Sequence, residues 1–194
     1  MSVKAVIEKA QSQIGYRGKE NNDNKYGLAY GYNNSPWCVM FLWWVFREAG
    51  ESLAFLDGGK TASCTKLYWW GYEKGYSVAF NDVVPGDIAF FNFTGGTEKN
   101  HCGLVVHTGA TSLYTIEGNT ENEEVAEKTR KAGNTVGIIR PPYLPDDCRG
   151  KWCASDVRDA YGRGLMFGYS DGTFRPDTTL TRGELATVLR RLHK

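Results

Sequence analysis

Residues 35–50 read SPWCVMFLWWVFREAG, a stretch with the residues that begin and end a helix. Ser35 can cap the helix, Pro36 suits its first turn, and Gly50 follows its end. The run 39–49 is apolar on nearly every face, so we expect a central buried helix rather than a surface one.

The rest of the chain places helices before strands. Apolar residues share one helical face over 3–14, where Ser2 is the predicted N-cap. Residues 63–74 also read as a helix, whereas 16–35 is polar and predicts a loop. After residue 85, short runs of β-branched and aromatic residues are separated by Gly, Asn and Thr, which is typical of antiparallel strands. The predicted strands cover residues 88–93, 102–107, 112–118 and 135–140. This order predicts an α+β fold in which N-terminal helices pack on an antiparallel sheet.

Length and charge limit the classes of function. The 194 residues can bury one core and leave about 40 residues for a small second module. The formal net charge of +1 gives no reason to expect nucleic acid or an anionic membrane as a partner. Residues 1–8 lack the continuous apolar stretch of a signal peptide, so we predict synthesis in the cytoplasm without one.

Three side chains form a candidate catalytic set. Cys38 falls in the first turn of the buried helix, where the helix dipole and unpaired backbone N–H groups favour a thiolate. His101 begins one predicted strand, and Glu117 ends the next one. A cysteine on a helix, a histidine on a strand and a polar orienting residue are the parts of a papain-like site. Cys64 also begins a predicted helix and is the alternative nucleophile.

Three motifs in this order resemble the CHAP amidohydrolase/peptidase family, which is similar to NlpC/P60 proteins. They are SPWC at 35–38, PGDIAFF at 85–91 and HCGLV at 101–105. The stretch NDNKYGLAYGY at 22–32 is similar to bacteriophage endolysins of this family. The resemblance covers residues 2–142.

The resemblance implies a papain-like fold and a peptidoglycan substrate. It implies Cys38 as nucleophile, His101 as its base, Glu117 as the third member and Asn119 as a polar helper. It also implies two aromatic side chains that contact the substrate, Tyr26 and Trp37. Residue 102 is cysteine where such proteins more often carry Val or Ile.

Metal and disulfide signals are weak. Five cysteines are spread over the chain without a disulfide framework or a zinc-binding CxxC pair. Cys148 and Cys153 are close enough to bridge, but their geometry stays open. His101 and Cys102 are neighbours on a strand and point to opposite faces, so with His107 they predict no metal site. The cluster at 20–24 lacks EF-hand spacing and reads as solvated loop. We expect no metal and no cofactor.

The C-terminal segment resembles an S-layer homology motif, carried by GLMFGYSDGTFRP at 164–176 and LTRGE at 180–184. The resemblance implies binding of an anionic secondary cell-wall polymer through Asp171, Gly172 and Arg182. Three departures are that Gly183 stands where the family usually has Ala, that the usual Trp-containing lead-in helix is shortened, and that one copy is present where members usually act in threes.

The last helix is predicted to start with a capping box of Thr181 and Glu184. Its apolar face is predicted to be buried through Leu185, Val188, Leu189 and Leu192. The domain prediction is a catalytic domain over 1–142, a linker over 143–155 and a wall-binding motif over 156–194.

Together these features predict an endolysin-like or autolysin-like enzyme at the bacterial cell wall. It would cleave an amide bond of peptidoglycan through a cysteine thioester, as an endopeptidase or an N-acetylmuramoyl-L-alanine amidase. Two alternatives stay open: a non-catalytic wall-binding protein on the same scaffold, and an intracellular cysteine peptidase that acts on proteins.

Overall fold

The computed structural model describes residues 3–169 and 171–193. The described helices are α1 Val3–Gln11, α2 Lys25–Tyr30, α3 Cys38–Glu48, α4 Cys64–Glu73, α5 Ala154–Gly162 and α6 Arg182–Leu192. The strands are β1 Ile88–Phe91, β2 His101–Thr108, β3 Ser112–Glu117, β4 Ala126–Lys131 and β5 Thr135–Ile139. They form one antiparallel sheet in the order β4-β3-β2-β1-β5. The predicted α+β fold is confirmed.

Helix α3 lies at the centre of the molecule, as its apolar sequence predicted. Seven of its eleven residues are buried, and they pack between the other N-terminal helices and one face of the sheet. The predicted cap is wrong, however, because Trp37 occupies the N-cap position and makes no side-chain cap hydrogen bond. Residues before Pro36 are driven toward extended backbone, so Ser35 lies outside the helix. The first-turn N–H groups beside Cys38 are therefore left without a side-chain cap.

Two elements were missed by the sequence analysis. The predicted loop over 16–35 contains α2, whose Asn24 cap accepts a hydrogen bond from Gly27 N at 2.8 Å. A helix of six residues is too short to show an apolar periodicity. Strand β4 reads AEKTRK, with alternately half-buried and exposed residues. Because it is an edge strand, its sequence needs few apolar residues.

A buried ion pair joins the turn before β1 to the end of β5. Arg140 donates to both carboxylate oxygens of Asp87, at 2.9 Å each, and to Asp82 O at 2.8 Å. Burial raises the pKa of Asp87, although the hydrogen bonds from Arg140 act in the opposite direction. Hydrogen bonds within the protein therefore replace the water that would otherwise stabilise the two charges.

The segment that follows the sheet packs against it. Tyr143 is 2% exposed and donates to Gly86 O at 2.8 Å, so the start of the predicted linker is held by the core. Cys148 and Cys153 are free thiols that share a small apolar cluster with Leu144 and Val157. This cluster packs α5 against residues 144–153.

The capping box at the start of α6 is confirmed. Glu184 N donates to Thr181 Oγ1 at 3.2 Å, and Thr181 N donates to Glu184 Oε2 at 2.8 Å. The predicted burial of its apolar face is wrong, since Leu185, Leu189 and Leu192 are 47–49% exposed and Val188 is half-buried. A single helix-loop-helix unit has no further layer to cover this face.

The predicted Ser2 cap of α1 lies outside the described residues. In the part of the chain that the structure describes, every helix is too short or too polar to cross a bilayer.

Candidate active site

The first residue of α3 supplies the candidate nucleophile. Cys38 is 5% exposed, and its backbone stands where α3 presents its N-terminal N–H groups. Those groups carry the positive end of the helix dipole, which stabilises an anion. The local structure therefore favours a thiolate at Cys38 and offers donors for an oxyanion beside it.

Antiparallel pairing of β2 and β3 brings the second and third candidates together. His101 is the first residue of β2 and Glu117 is the last residue of the antiparallel neighbour β3, so both lie at the same end of the sheet. His101 Nε2 and Glu117 Oε2 are 2.8 Å apart. The His101 side chain is 12% exposed, whereas that of Glu117 is fully buried.

Arg130 and Thr115 complete the surroundings of the Glu117 carboxylate. Arg130 donates from Nε to Oε1 at 2.8 Å and from Nη2 to Oε2 at 2.5 Å, and Thr115 Oγ1 donates to Oε1 at 2.5 Å. Burial raises the pKa of Glu117, but the hydrogen bonds from Arg130 and His101 outweigh it and lower the pKa overall. Glu117 is thus held as a carboxylate.

The pKa values of Cys38 and His101 move in opposite directions. Hydrogen bonds from the thiols of Cys102 and then Cys64 lower the pKa of Cys38, and His101 lowers it further against the effect of burial. Burial lowers the pKa of His101, but hydrogen bonds to Cys38 and Glu117 outweigh it and raise the pKa to about 9. These shifts favour a thiolate–imidazolium pair near neutral pH.

Two glycines make room for this arrangement. A Cβ atom on Gly103 would lie 2.6 Å from Glu117 Cγ, and one on Gly118 would lie 2.6 Å from Phe41 Cβ. Because Gly103 has no side chain, the side chain of Glu117 can pack directly against the backbone of β2. Gly118 lets the end of β3 approach α3, which carries Cys38.

Cys64 lies beside Cys38 rather than in a site of its own. Their Sγ atoms are 3.7 Å apart. The hydrogen bond with Cys102 lowers the pKa of Cys64, but the hydrogen bond with Cys38 and burial together outweigh it and raise the pKa. A thiol with a raised pKa is the weaker nucleophile at neutral pH. This contrast favours Cys38.

Three other predicted site residues have different surroundings. Asn119 is half-buried with a positive φ of 58°, and among the described residues no hydrogen bond joins it to His101. Tyr26 and Trp37 are fully buried and stacked, with ring centroids 5.2 Å apart. A fully buried ring cannot contact a polymer outside, so the predicted substrate contacts are corrected to core packing. Phe93, 47% exposed and 6.0 Å from the His101 ring, is an exposed aromatic there that the sequence did not single out.

The three predicted wall-binding residues lie apart from this site. The carboxylate of Asp171 accepts hydrogen bonds from nearby residues, from Thr173 N at 3.0 Å and from Arg175 Nη2 at 2.6 Å. Gly172 has a φ of 84°, which the turn requires. Arg182 is exposed at the start of α6 and makes no ion pair with another described residue. Its guanidinium is thus available to an anion, whereas the carboxylate of Asp171 is already engaged.

Two segments of the chain match known families. Residues 30–119 match the model of the CHAP domain, and residues 146–186 match that of the S-layer homology domain. Cell surface glycoprotein 1 of Acetivibrio thermocellus is 50% identical over 38 residues, 20% of this chain and 2% of that protein. Outer membrane protein SlpA of Deinococcus radiodurans is 36% identical over 64 residues, 31% of this chain and 6% of that protein. The chain spans only a small share of these relatives.

Solved structures with partial similarity include a protein of Staphylococcus aureus described as similar to an NLP/P60-family lipoprotein. It has a TM-score of 0.45 and 13% identity, over 72% of this chain and 41% of that one. Another is Ly7917, with a TM-score of 0.46 and 15% identity over 73% and 63% of the two chains. Both resemblances drawn from the sequence are confirmed by the family matches, which cover residues 30–119 for the CHAP domain and residues 146–186 for the S-layer homology domain.

Proposed function

We propose that this protein is a peptidoglycan hydrolase that cleaves an amide bond through a thioester on Cys38. The observation that carries the proposal is the chain of contacts from Cys38 to His101 to Glu117, located in a segment that matches the CHAP family. Glu117 orients the imidazole and stabilises its charge, and Arg130 holds Glu117 in place.

The proposed reaction has two halves. The Cys38 thiolate attacks the amide carbonyl, and the N-terminal N–H groups of α3 stabilise the oxyanion. The C–N bond breaks as His101 gives its proton to the leaving amine, and a thioester remains. His101 then takes a proton from water, the hydroxide attacks the thioester, and the C–S bond breaks to leave the Cys38 thiolate and a carboxylic acid, which gives its proton to solvent.

Three clefts of the described residues lie away from Cys38, His101 and Glu117. One of about 670 Å³ lies between the α4–β1 connection and the C-terminal segment, one of about 580 Å³ between α1 and that segment, and one of about 550 Å³ within it. A site outside these clefts suits a substrate that is part of a network rather than a small molecule that must be enclosed. This placement supports a polymeric substrate.

Mass spectrometry of purified peptidoglycan after digestion tests the proposal. We expect new amino groups with intact glycan strands, because opening a glycosidic bond needs paired carboxylates. A free lactyl carboxylate on muramic acid would identify an N-acetylmuramoyl-L-alanine amidase, and new amino-acid termini an endopeptidase; we favour the endopeptidase. New reducing ends, or no cleavage of walls from Gram-positive sources, would refute the proposal.

The pH dependence of hydrolysis follows from the two pKa shifts. Activity needs Cys38 ionised and His101 protonated, so it should fall at acid pH as the thiolate is protonated and fall again above about pH 9 as His101 deprotonates. Glu117→Gln removes the charge that supports the imidazolium, so its basic limb should move to lower pH. Glu127→Gln, an exposed residue of β4, is the matched control. Identical basic limbs for the two variants would contradict the role of Glu117.

We also propose that the C-terminal segment retains the enzyme at the wall by binding an anionic secondary polymer. The division would be catalysis by residues 1–142 and retention by 156–194, joined by 143–155. The observation that supports retention is the exposed guanidinium of Arg182 in a segment that matches the S-layer homology family. Arginine suits paired hydrogen bonds to carboxylated saccharides.

Arg182→Ala should weaken binding to intact walls by about tenfold to 100-fold, since hydrogen bonds to a charged group contribute about 1.5–3 kcal/mol. Cleavage of soluble peptidoglycan fragments should not change. Arg190→Ala removes an equally exposed charge from the same helix and is the control. Co-sedimentation with sacculi measures the effect, and equal sedimentation of both variants with the parent would leave Arg182 without this role.

The two alternatives give different results. A non-catalytic wall-binding protein would sediment with sacculi and release nothing, whereas a peptidase acting on proteins would cleave casein and leave sacculi intact. The activity proposed here would be exerted at the bacterial cell wall, for either a phage-derived or a bacterial enzyme.

A further inference from the structure

Three buried thiols converge beside the proposed nucleophile. The Sγ atoms of Cys38, Cys64 and Cys102 all lie within 4.8 Å of one another, and we call these residues the thiol cluster. They begin α3 and α4 and occupy the second position of β2, so three separate elements bring them together. Among the described residues no other three side chains of metal-binding type meet in this way. The proposed hydrolysis uses only Cys38.

The spacing of the thiol cluster fits a tetrahedral metal ion. Zinc binds thiolate sulfur at about 2.3 Å, which places two sulfur ligands of a tetrahedron about 3.8 Å apart. Cys38 and Cys64 stand at 3.7 Å, close to that separation. No pair exceeds 4.8 Å, so closure needs a movement of about 1 Å at most, within the reach of small side-chain rotations.

The fourth position of the tetrahedron would be taken by water. His101, whose Nε2 lies 2.8 Å from Glu117 Oε2, is not among the side chains whose ligand atoms all lie within 4.8 Å of one another. Three protein ligands and one water form a recognised four-coordinate zinc arrangement.

We propose that the thiol cluster forms a binding site for a soft four-coordinate cation, with zinc as the expected ion, and that the bound ion blocks hydrolysis. Binding converts the thiols to thiolates, so Cys64 and Cys102 each release a proton to solvent. The bound sulfur of Cys38 no longer has a free electron pair for the substrate carbonyl. Metal binding stands on the geometry alone, whereas the inhibition rests on the proposed function.

The sequence contains no motif for this site, because its ligands are far apart along the chain. Cys102 was considered as a metal ligand only with His101 and His107, which are close to it in the sequence. Cys38 and Cys64 come from distant positions and reach Cys102 only because α3 and α4 begin against the same end of β2. Ligands brought together by tertiary packing leave no short spacing motif.

Direct metal binding is the first test. Full-length protein, kept reduced with a phosphine, is titrated with Co²⁺ and followed by thiolate-to-cobalt charge-transfer absorption, then back-titrated with Zn²⁺. We expect one equivalent bound in tetrahedral geometry. Cys64→Ala and Cys102→Val should each weaken zinc binding by more than the ~10-fold to 100-fold that loss of an outer-shell partner causes. Cys148→Ala, a buried thiol outside the thiol cluster, is the control and should bind as the parent does.

Circular dichroism and thermal unfolding establish that each variant is folded. The proposal is overturned if the parent binds no cobalt with a thiolate signature, or if Cys148→Ala loses binding while the two cluster variants keep it. If one cluster variant fails to fold, the other still decides the outcome.

Inhibition is the second test. Zinc should suppress wall hydrolysis by the parent, a chelator should restore it, and Cys64→Ala should be at least tenfold less sensitive relative to its own zinc-free rate. A cobalt signature in a protein that hydrolyses no wall would leave the metal site standing and refute the proposed function. Hydrolysis without any metal binding would support the proposed function and refute the metal site. Bound zinc without inhibition would refute the proposal that the ion blocks hydrolysis.

Discussion

Cys38→Ala is expected to abolish wall hydrolysis, with a fall in rate of about 10⁴-fold or more, because removing the nucleophile removes the covalent route altogether. The fold should persist. The change deletes one sulfur atom at a helix start that is 5% exposed, which leaves the backbone contacts of α3 intact. Turbidity loss of purified sacculi measures the rate.

Cys64→Ala is the matched control for this variant. It removes an identical atom, also buried and at a helix start, only 3.7 Å from the first. Most activity should remain, since Cys64 forms no bond to substrate and its hydrogen bond is only one of several interactions that lower the pKa of Cys38. An inactive Cys64 variant together with an active Cys38 variant would reverse the assignment of the nucleophile.

Arg140→Ala is expected to lower the free energy of unfolding by about 3–5 kcal/mol, the usual cost of removing one partner of a buried ion pair. The carboxylate of Asp87 would be left 1% exposed without its two hydrogen bonds from Arg140. Since small domains are stable by only about 5–15 kcal/mol, this loss is a large share of the total. Equilibrium denaturation with urea measures it.

Arg163→Ala is the control, because Arg163 pairs with Asp159 on the surface, where both side chains are more than 40% exposed. An exposed pair contributes about 0–1 kcal/mol, so this variant should unfold close to the parent. Equal losses for the two variants would mean that burial of the Arg140 pair confers no special stability.

Much of this arrangement could be predicted from the sequence because its signals are local. The apolar run of α3 and the short strands that follow it indicated the α+β fold, and the order of Cys38, His101 and Glu117 indicated the candidate site. These three residues begin or end their elements, and the ends of elements carry recognisable residues such as Pro and Gly.

What the sequence could not show depends on contacts between distant residues. Arg130 was missed because its strand is polar and lies at the sheet edge. Tyr26 was predicted to contact substrate, but it belongs to a six-residue helix whose packing buries it. The leucines of α6 were predicted to be buried from a helical pattern, although a pattern shows which face is apolar and not whether another layer covers it.

Arg130 also links the proposed active site to one edge of the sheet. It lies on β4, which has a neighbour on one side only, and it donates two hydrogen bonds to Glu117. Edge strands fray at lower cost than whole domains unfold. On heating, the enzyme should therefore lose activity through fraying of β4 several degrees before its far-ultraviolet dichroism changes, and cooling should restore that activity. Coincident inactivation and unfolding curves would show that β4 melts only with the rest of the sheet.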